Sequence, residues 1–413
     1  MQNSIPSIIS KKYRVIQEIG RGGMGSVYLV KHLYTGDYSA LKLLHSQALI
    51  STEAIDRFKR EMRLPAKIRS EHVVKITDAD TAPELGNAPY LVMELLQGFD
   101  LSHLIMKGGA RSGAEVLWIL HEIARALDKA HTLGIVHRDL KPDNLFIHRR
   151  EDESLIVKIL DFGIAKVTQD LRNGSNRAIT LNKDGIIGTP LYMAPEQAKG
   201  QEPEGPEVAT SADIWAIGMI AFELLTGNTY WRGETTLQVL SNVLFAEMTP
   251  PSRLALDLPQ EFDAWFSKSC ARQPSHRWAT ATEQLQELMK ALGQTEIPND
   301  PPNTLSTAVA QLAPPALQSY ATWQPGQVPA VALAPTLQAR EPLVFSQHEL
   351  VESTLPAREL SASPEEMKSQ LDPPQEQLVA DSKAPIKFSP RLAAATFALL
   401  VFVCALAWVL LRK

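Results

Sequence analysis

Cysteine is scarce in this chain: 413 residues hold two, Cys270 and Cys404, in different segments. That leaves no disulfide framework and no metal site built on spaced Cys/His clusters, and it suits a reducing compartment. A basic excess is missing as well. The formal net charge is −5, which offers no support for nucleic acid as the main partner. Met1 to Ser10 is short and polar, without an apolar core of signal-peptide length. What is present is an ordinary globular balance, 45% hydrophobic and 21% charged, in a length that allows two or three domains.

The chemistry concentrates in His137-Arg138-Asp139-Leu140-Lys141-Pro142-Asp143-Asn144. This one short loop holds a carboxylate, an ammonium and a carboxamide. Phosphoryl transfer needs that set: a base to orient an attacking hydroxyl, a cation beside the moving phosphoryl group, and an oxygen donor for Mg²⁺. A second carboxylate follows in Asp161-Phe162-Gly163, after the short apolar strand Leu155 to Leu160. Upstream, Gly20-Arg21-Gly22-Gly23-Met24-Gly25 runs into Ser26-Val27-Tyr28-Leu29-Val30, which reads as a strand. A dinucleotide-binding loop would open into a helix, so this reads as a hairpin lid, whose glycines would let backbone N–H groups approach phosphates. Lys42 lies in a strand among apolar neighbours, where an unpaired ammonium is costly. Ala194-Pro195-Glu196 comes later in the chain.

These five pieces, in their order and rough spacing along the chain, resemble the eukaryotic-type (Hanks-type) serine/threonine protein kinase family from about Tyr13 to Leu292. The resemblance implies an α+β, bilobal kinase fold: a β-rich small lobe, a helical large lobe, and a nucleotide cleft between them. It implies ATP and Mg²⁺ as cofactors and Ser/Thr hydroxyls of proteins as acceptors. Lys141-Pro142-Asp143 resembles the serine/threonine branch rather than the tyrosine branch. By the same resemblance Asp139 is the expected catalytic base, Lys141 steadies the γ-phosphoryl charge, and Asn144 and Asp161 are metal ligands. Lys42 is expected to bind the α/β-phosphates and to pair with Glu61 of the next helix.

Nucleotide contacts are expected from Ile19, Gly20, Gly22, Gly23, Gly25, Val27 and Ala40. They are also expected from the hinge backbone at Glu94 and Leu96, beyond the gatekeeper Met93. Asp100 falls where family members contact the ribose, and equally where it would cap a helix beginning at Leu101. Glu196 is expected to pair with Arg277, and Asp213 to anchor the catalytic-loop backbone. Arg138 implies an anion from the activation segment, with Thr168, Ser175 and Thr180 as phosphate acceptors and Lys166 as helper. Thr189 is expected to bond Asp139 and Lys141. The alternatives are a catalytically silent pseudokinase scaffold at the membrane, and a lipid or small-molecule kinase of the same fold.

Strands are expected at Tyr13 to Ile16, Val27 to Val30 and Ser39 to Leu44. A helix is expected from an N-cap at Ser51 or Thr52, through Glu61, towards Ile68, with Pro65 kinking it at the Glu61 carbonyl. Helical periodicity dominates from Asp100 to about Leu292. Gln294 to Pro385 holds about half of the chain's 28 prolines. Residues 293–388 are therefore expected to form a flexible, partly polyproline linker.

Leu392 to Leu411 contains no charged residue. As a helix at ~1.5 Å per residue it spans roughly 30 Å, the thickness of a bilayer core. Lys383, Lys387 and Arg391 before it outnumber Arg412 and Lys413 after it. The expectation is a single-pass cell-membrane kinase of the bacterial branch, held to lipid by residues 392–411. Its catalytic domain, 13–292, would face the cytoplasm. With two residues after the run, no external sensor is expected.

Overall fold

Period-two alternation of side chains builds the N-terminal sheet. The structure is a computed structural model and describes residues 5–22, 25–44, 65–162, 190–199 and 206–312, all within the unit Met1–Val344. Six strands lie in the order β1-β2-β3-β4-β6-β5. They are β1 (Ile8–Ile9), β2 (Tyr13–Gly22), β3 (Gly25–His32), β4 (Tyr38–Leu44), β5 (Ile76–Ala82) and β6 (Ala88–Met93). Tyr28, Val30, Leu41 and Val92 join Ile9, Tyr13 and Tyr90 in one buried cluster. The intervening cross-strand sets, Val27–Lys42–Leu91 and Leu29–Ala40–Met93, therefore take the opposite face. A Cβ at Gly25 would lie 2.2 Å from Leu43 O, so only glycine lets β3 approach β4 this closely.

A second sheet has the order β7-β8-β9, from β7 (Gly98–Asp100), β8 (Leu145–Arg149) and β9 (Leu155–Ile159). The helical lobe around it comprises α1 (Leu101–Gly108), α2 (Gly113–Thr132), α3 (Pro195–Ala198), α4 (Pro206–Thr226) and α5 (Thr236–Phe245). It continues with α6 (Pro251–Leu254), α7 (Gln260–Ser269), α8 (Ala281–Ala291) and α9 (Asn303–Leu312). A reciprocal cap starts α2: Glu115 N–H donates to Ser112 Oγ, and Ser112 N–H donates back to the Glu115 carboxylate at 2.8 Å.

Helix α4 is apolar nearly all round, as a helix buried on every side must be. Its Trp215, Ile220 and Phe222 pack with Trp118 and Leu127 of α2, Phe262 and Phe266 of α7, and Leu288 of α8. Each such side chain contributes up to about 1.5–3 kcal/mol by leaving water.

Two expectations are corrected. Residues Pro65–Lys67 form a 3₁₀ turn, and Ile68 is buried but not helical. The proline lacks the N–H that an α-helix running to Ile68 would need. The preceding part of that segment, Glu61 included, lies outside the described residues. Residues 303–312, expected within the linker, are helical. Helix α9 sinks Leu305 (0% exposed) and Val309 (1%) into the helical core. Thr304 Oγ1 donates to Glu115 Oε1 at 3.0 Å, tying α9 to the start of α2. Leu392 to Leu411 lies outside the described residues. Among the described residues no helix is long and apolar enough to cross a membrane.

Candidate active site

One buried carboxylate fixes the loop that joins α2 to β8. Asp213 of α4 is 1% exposed. Its Oδ2 accepts His137 N–H and lies 2.9 Å from His131 Nε2, while its Oδ1 accepts Arg138 N–H at 2.9 Å. Burial alone would raise the Asp213 pKa. The hydrogen bond and charge of His131, with the His137 contribution, outweigh it and hold the carboxyl below its usual range. Arg138 adopts φ +67°, a left-handed conformation that a non-glycine residue keeps only under such restraint. Its carbonyl accepts from Gln197 Nε2 of α3 at 2.8 Å.

The loop then presents three polar side chains to one another. Lys141 Nζ donates to Asp139 Oδ2 at 2.9 Å. Asn144 Nδ2 donates to Asp139 O at 2.6 Å and to Asp139 Oδ2 at 3.2 Å. Burial would depress Lys141, but the charge and hydrogen bond of Asp139, with Asp143 and Asp161, hold its pKa above the usual value. It carries its positive charge throughout the physiological range.

His137 is fully buried and ties this loop to the second carboxylate. Its Nε2 lies 2.7 Å from Leu160 O, and its Nδ1 accepts Asp139 N–H at 3.3 Å. Its ring meets Phe162 edge to face, 4.8 Å between centroids. Leu160 N–H donates to Asn144 O at 2.8 Å. Asp161 has φ +57° and forms an ion pair with Lys42 Nζ. Lys42 thus engages the expected metal ligand; the expected partner Glu61 lies outside the described residues. The carboxylate of Asp161 and the carboxamide oxygen of Asn144 make a hard oxygen donor set that suits a divalent cation such as Mg²⁺.

The apolar side of the cleft follows from the sheet alternation. Val27, Ala40, Lys42 and Met93 share the face away from the buried small-lobe cluster. Met93, Leu91, Ile76, Val73 and Phe162 line a narrow hollow with Asp161. Gly20 pairs with Val27, and Ile19 precedes it half-buried on β2; Gly22 pairs with Gly25 at the tip. Gly23 lies outside the described residues. In the hinge Glu94 N–H donates to Lys75 O at 3.0 Å, so its carbonyl is the backbone group it can offer a ligand. Leu96 follows, half-buried.

Asp100 is 6% exposed, and its Oδ1 accepts His103 N–H at 2.8 Å and Ser102 Oγ–H at 2.6 Å. Of the two roles expected for it, the cap of α1 is the one the structure shows. Glu196 pairs with Arg277 through two parallel bonds of 2.7 and 2.8 Å, as expected.

Three residues important to this geometry escaped sequence reasoning: His131, His137 and Gln197. His137 and Gln197 stand inside or next to quoted motifs, which was the available signal. Thr168, Ser175, Thr180, Thr189 and Lys166 lie outside the described residues.

Known proteins with similar sequences or folds agree with this architecture. The profile described as "Protein kinase domain" matches residues 13–293. Serine/threonine-protein kinase Pkn1 of Myxococcus xanthus is 35% identical over 293 residues, which is 71% of this chain and 40% of that protein. Serine/threonine-protein kinase PknB of Mycolicibacterium smegmatis is 30% identical over 328 residues, 78% of this chain and 50% of its own length. The chain therefore spans about half or less of these relatives. The crystal structure of the Mycobacterium tuberculosis PknI kinase domain superposes with a TM-score of 0.53 at 23% identity. It covers 70% of this chain and all of that one, a likeness of fold. With two lobes of this fold, and with the family profile spanning most of its length, the chain belongs to the protein kinase family.

Proposed function

We propose that this chain is a serine/threonine protein kinase that moves the γ-phosphoryl group of ATP onto Ser and Thr hydroxyls of proteins. The observation that carries this reading is the Asp139–Lys141–Asn144 cluster on a loop pinned by buried Asp213. Asp139 orients the acceptor hydroxyl and takes its proton. Lys141, held protonated, faces the charge of the moving phosphoryl group. Asp161 and Asn144 would hold Mg²⁺, which when bound would supply positive charge beside the phosphates.

Lys42 and Asp161 neutralise each other in this structure. Nucleotide binding exchanges those partners, Lys42 turning to the α/β-phosphates and, in the family arrangement, to Glu61. Val27, Ala40 and Met93 pack on the adenine, the Glu94 carbonyl and Leu96 N–H take its edge, and Ile19 with Gly20, Gly22, Gly23 and Gly25 covers the phosphates. Relatives named serine/threonine-protein kinases, at 30–35% identity, support the acceptor class.

Incubation with γ-labelled ATP and protein acceptors tests the reading. Label recovered as phosphoserine and phosphothreonine is expected. Nucleotide binding without any label would make the chain a pseudokinase, and label confined to lipid or small molecules would make it a kinase of another class.

We also propose that residues 392–411 form a single membrane span with residues 13–292 in the cytoplasm, where ATP is. The support is the composition of that run and its flanking cations. Phosphorylation between Thr168 and Thr180, most of all at Thr180, would give Arg138 an anionic partner and raise activity.

A further inference from the structure

The hairpin β8–β9 carries the proposed metal ligands together at its open end, where Leu145 pairs with Ile159. Asn144 directly precedes β8, and Asp161 stands just beyond β9. The same hairpin is fastened to the hinge from both of its strands. On the β8 side, Gly98 and Phe99 of β7 pair with His148 and Ile147. Gly98 has φ +130°, and a Cβ there would lie 2.0 Å from Ile147 O, so only glycine permits the approach. Arg149 N–H donates to Gln97 O at 2.8 Å, and Gln97 N–H donates to His148 Nδ1 at 3.0 Å.

On the β9 side the fastening is a charge pair. Lys158 Nζ donates to Glu94 Oε1 at 2.9 Å, and Lys75 N–H donates to the same oxygen at 2.8 Å. Lys158 is 8% exposed, so its ammonium has little water to fall back on if the carboxylate is withdrawn. Glu94 is the first hinge residue, and Lys158 lies three positions before Asp161 in sequence. No step of the chemistry proposed above uses Lys158.

We infer that Lys158 is a positioning residue for phosphoryl transfer. Its pair with Glu94 holds the hinge in register with the hairpin that carries Asn144 and Asp161, so the base end and the metal end of the nucleotide sit at a fixed spacing. The inference rests on the reading that the hinge backbone takes the adenine.

Steady-state kinetics on the whole chain test it with Lys158→Met, Lys158→Arg, Glu94→Gln and the double variant Lys158→Met/Glu94→Gln. Lys158→Met should raise KM for ATP roughly 5- to 10-fold and change kcat less, the scale of coupling within one hydrogen-bonded pair. Lys158→Arg should recover most of the loss. The double variant should be no worse than the more impaired single one, because both break the same contact.

A folded Lys158→Met protein with lowered Tm but unchanged KM would make Lys158 merely structural and overturn the inference. Additive effects in the double variant would overturn it too. Should Lys158→Met fail to fold, Glu94→Gln decides: a raised KM supports the pairing and an unchanged KM rejects it. Leu96→Pro, which deletes the hinge N–H, separates this inference from its foundation. Unchanged KM in Leu96→Pro would remove the adenine from the hinge; raised KM there with unchanged KM in Lys158→Met would reject the strap alone.

Discussion

Backbone strain at Arg138 and Asp161 is tolerated because fixed partners surround both residues. Each holds a positive φ that costs on the order of 1–3 kcal/mol in a non-glycine residue. At Arg138 the restraint is Asp213 on one side and Gln197 on the other. Asp100 shows a different balance. Burial pushes its carboxyl up to about 6, against the lowering bonds from Ser102 and His103, and Asp143 adds to the rise. A carboxyl raised in the fold contributes most when protonated: its contribution is complete below about pH 4 and lost as pH rises through about 6. Asp100→Asn keeps a good N-cap without the charge. It should therefore gain on the order of 1–3 kcal/mol at pH 8 and little near pH 4. Denaturant unfolding at both pH values checks this; an equal loss at both would show that cap geometry, not charge, decides. Asp139, Lys141 and Asn144 share one loop, so their meeting was legible in the sequence. Lys42–Asp161 and Lys158–Glu94 were not, being separated by 119 and 64 positions. Alternation tells which face a strand residue takes, but not which distant charge it will find.

At the scale of elements, α9 is the clearest departure from expectation. Its ten residues stand between Pro301–Pro302 and Pro314–Pro315, and their composition reads as linker. So short a helix is marginal alone, and packing of Leu305 and Val309 supplies what local propensity does not. The helix also forms one wall of an open pocket of about 330 Å³ lined by Trp118, Glu122, Leu155, Asn299 and Val309. Leu305→Ala should cost roughly 2–4 kcal/mol, the range for truncating a fully buried leucine. Its urea midpoint should fall with the slope unchanged. A midpoint within error of the parent would mean that α9 does not stay docked in solution. The sheet fared better in the sequence. The three expected strands lie within β2, β3 and β4, because their β-branched and aromatic runs end at glycine turns.

For the molecule as a whole, the two-lobed kinase fold was legible because five motifs in order leave few other arrangements. The proposed membrane span rests on composition, and fractionation tests it. The full-length chain should sediment with membranes, and a chain ending after Leu312 should not. Full-length protein in the soluble fraction without detergent would contradict the anchor.

The central claim concerns Asp139, and one paired measurement addresses it: phosphoryl transfer from γ-labelled ATP alongside nucleotide affinity, in the parent and in Asp139→Asn. Removing a positioned base while leaving the nucleotide contacts intact should cut transfer at least ~10²-fold with nucleotide Kd within about twofold. Near-normal transfer by Asp139→Asn would contradict the account.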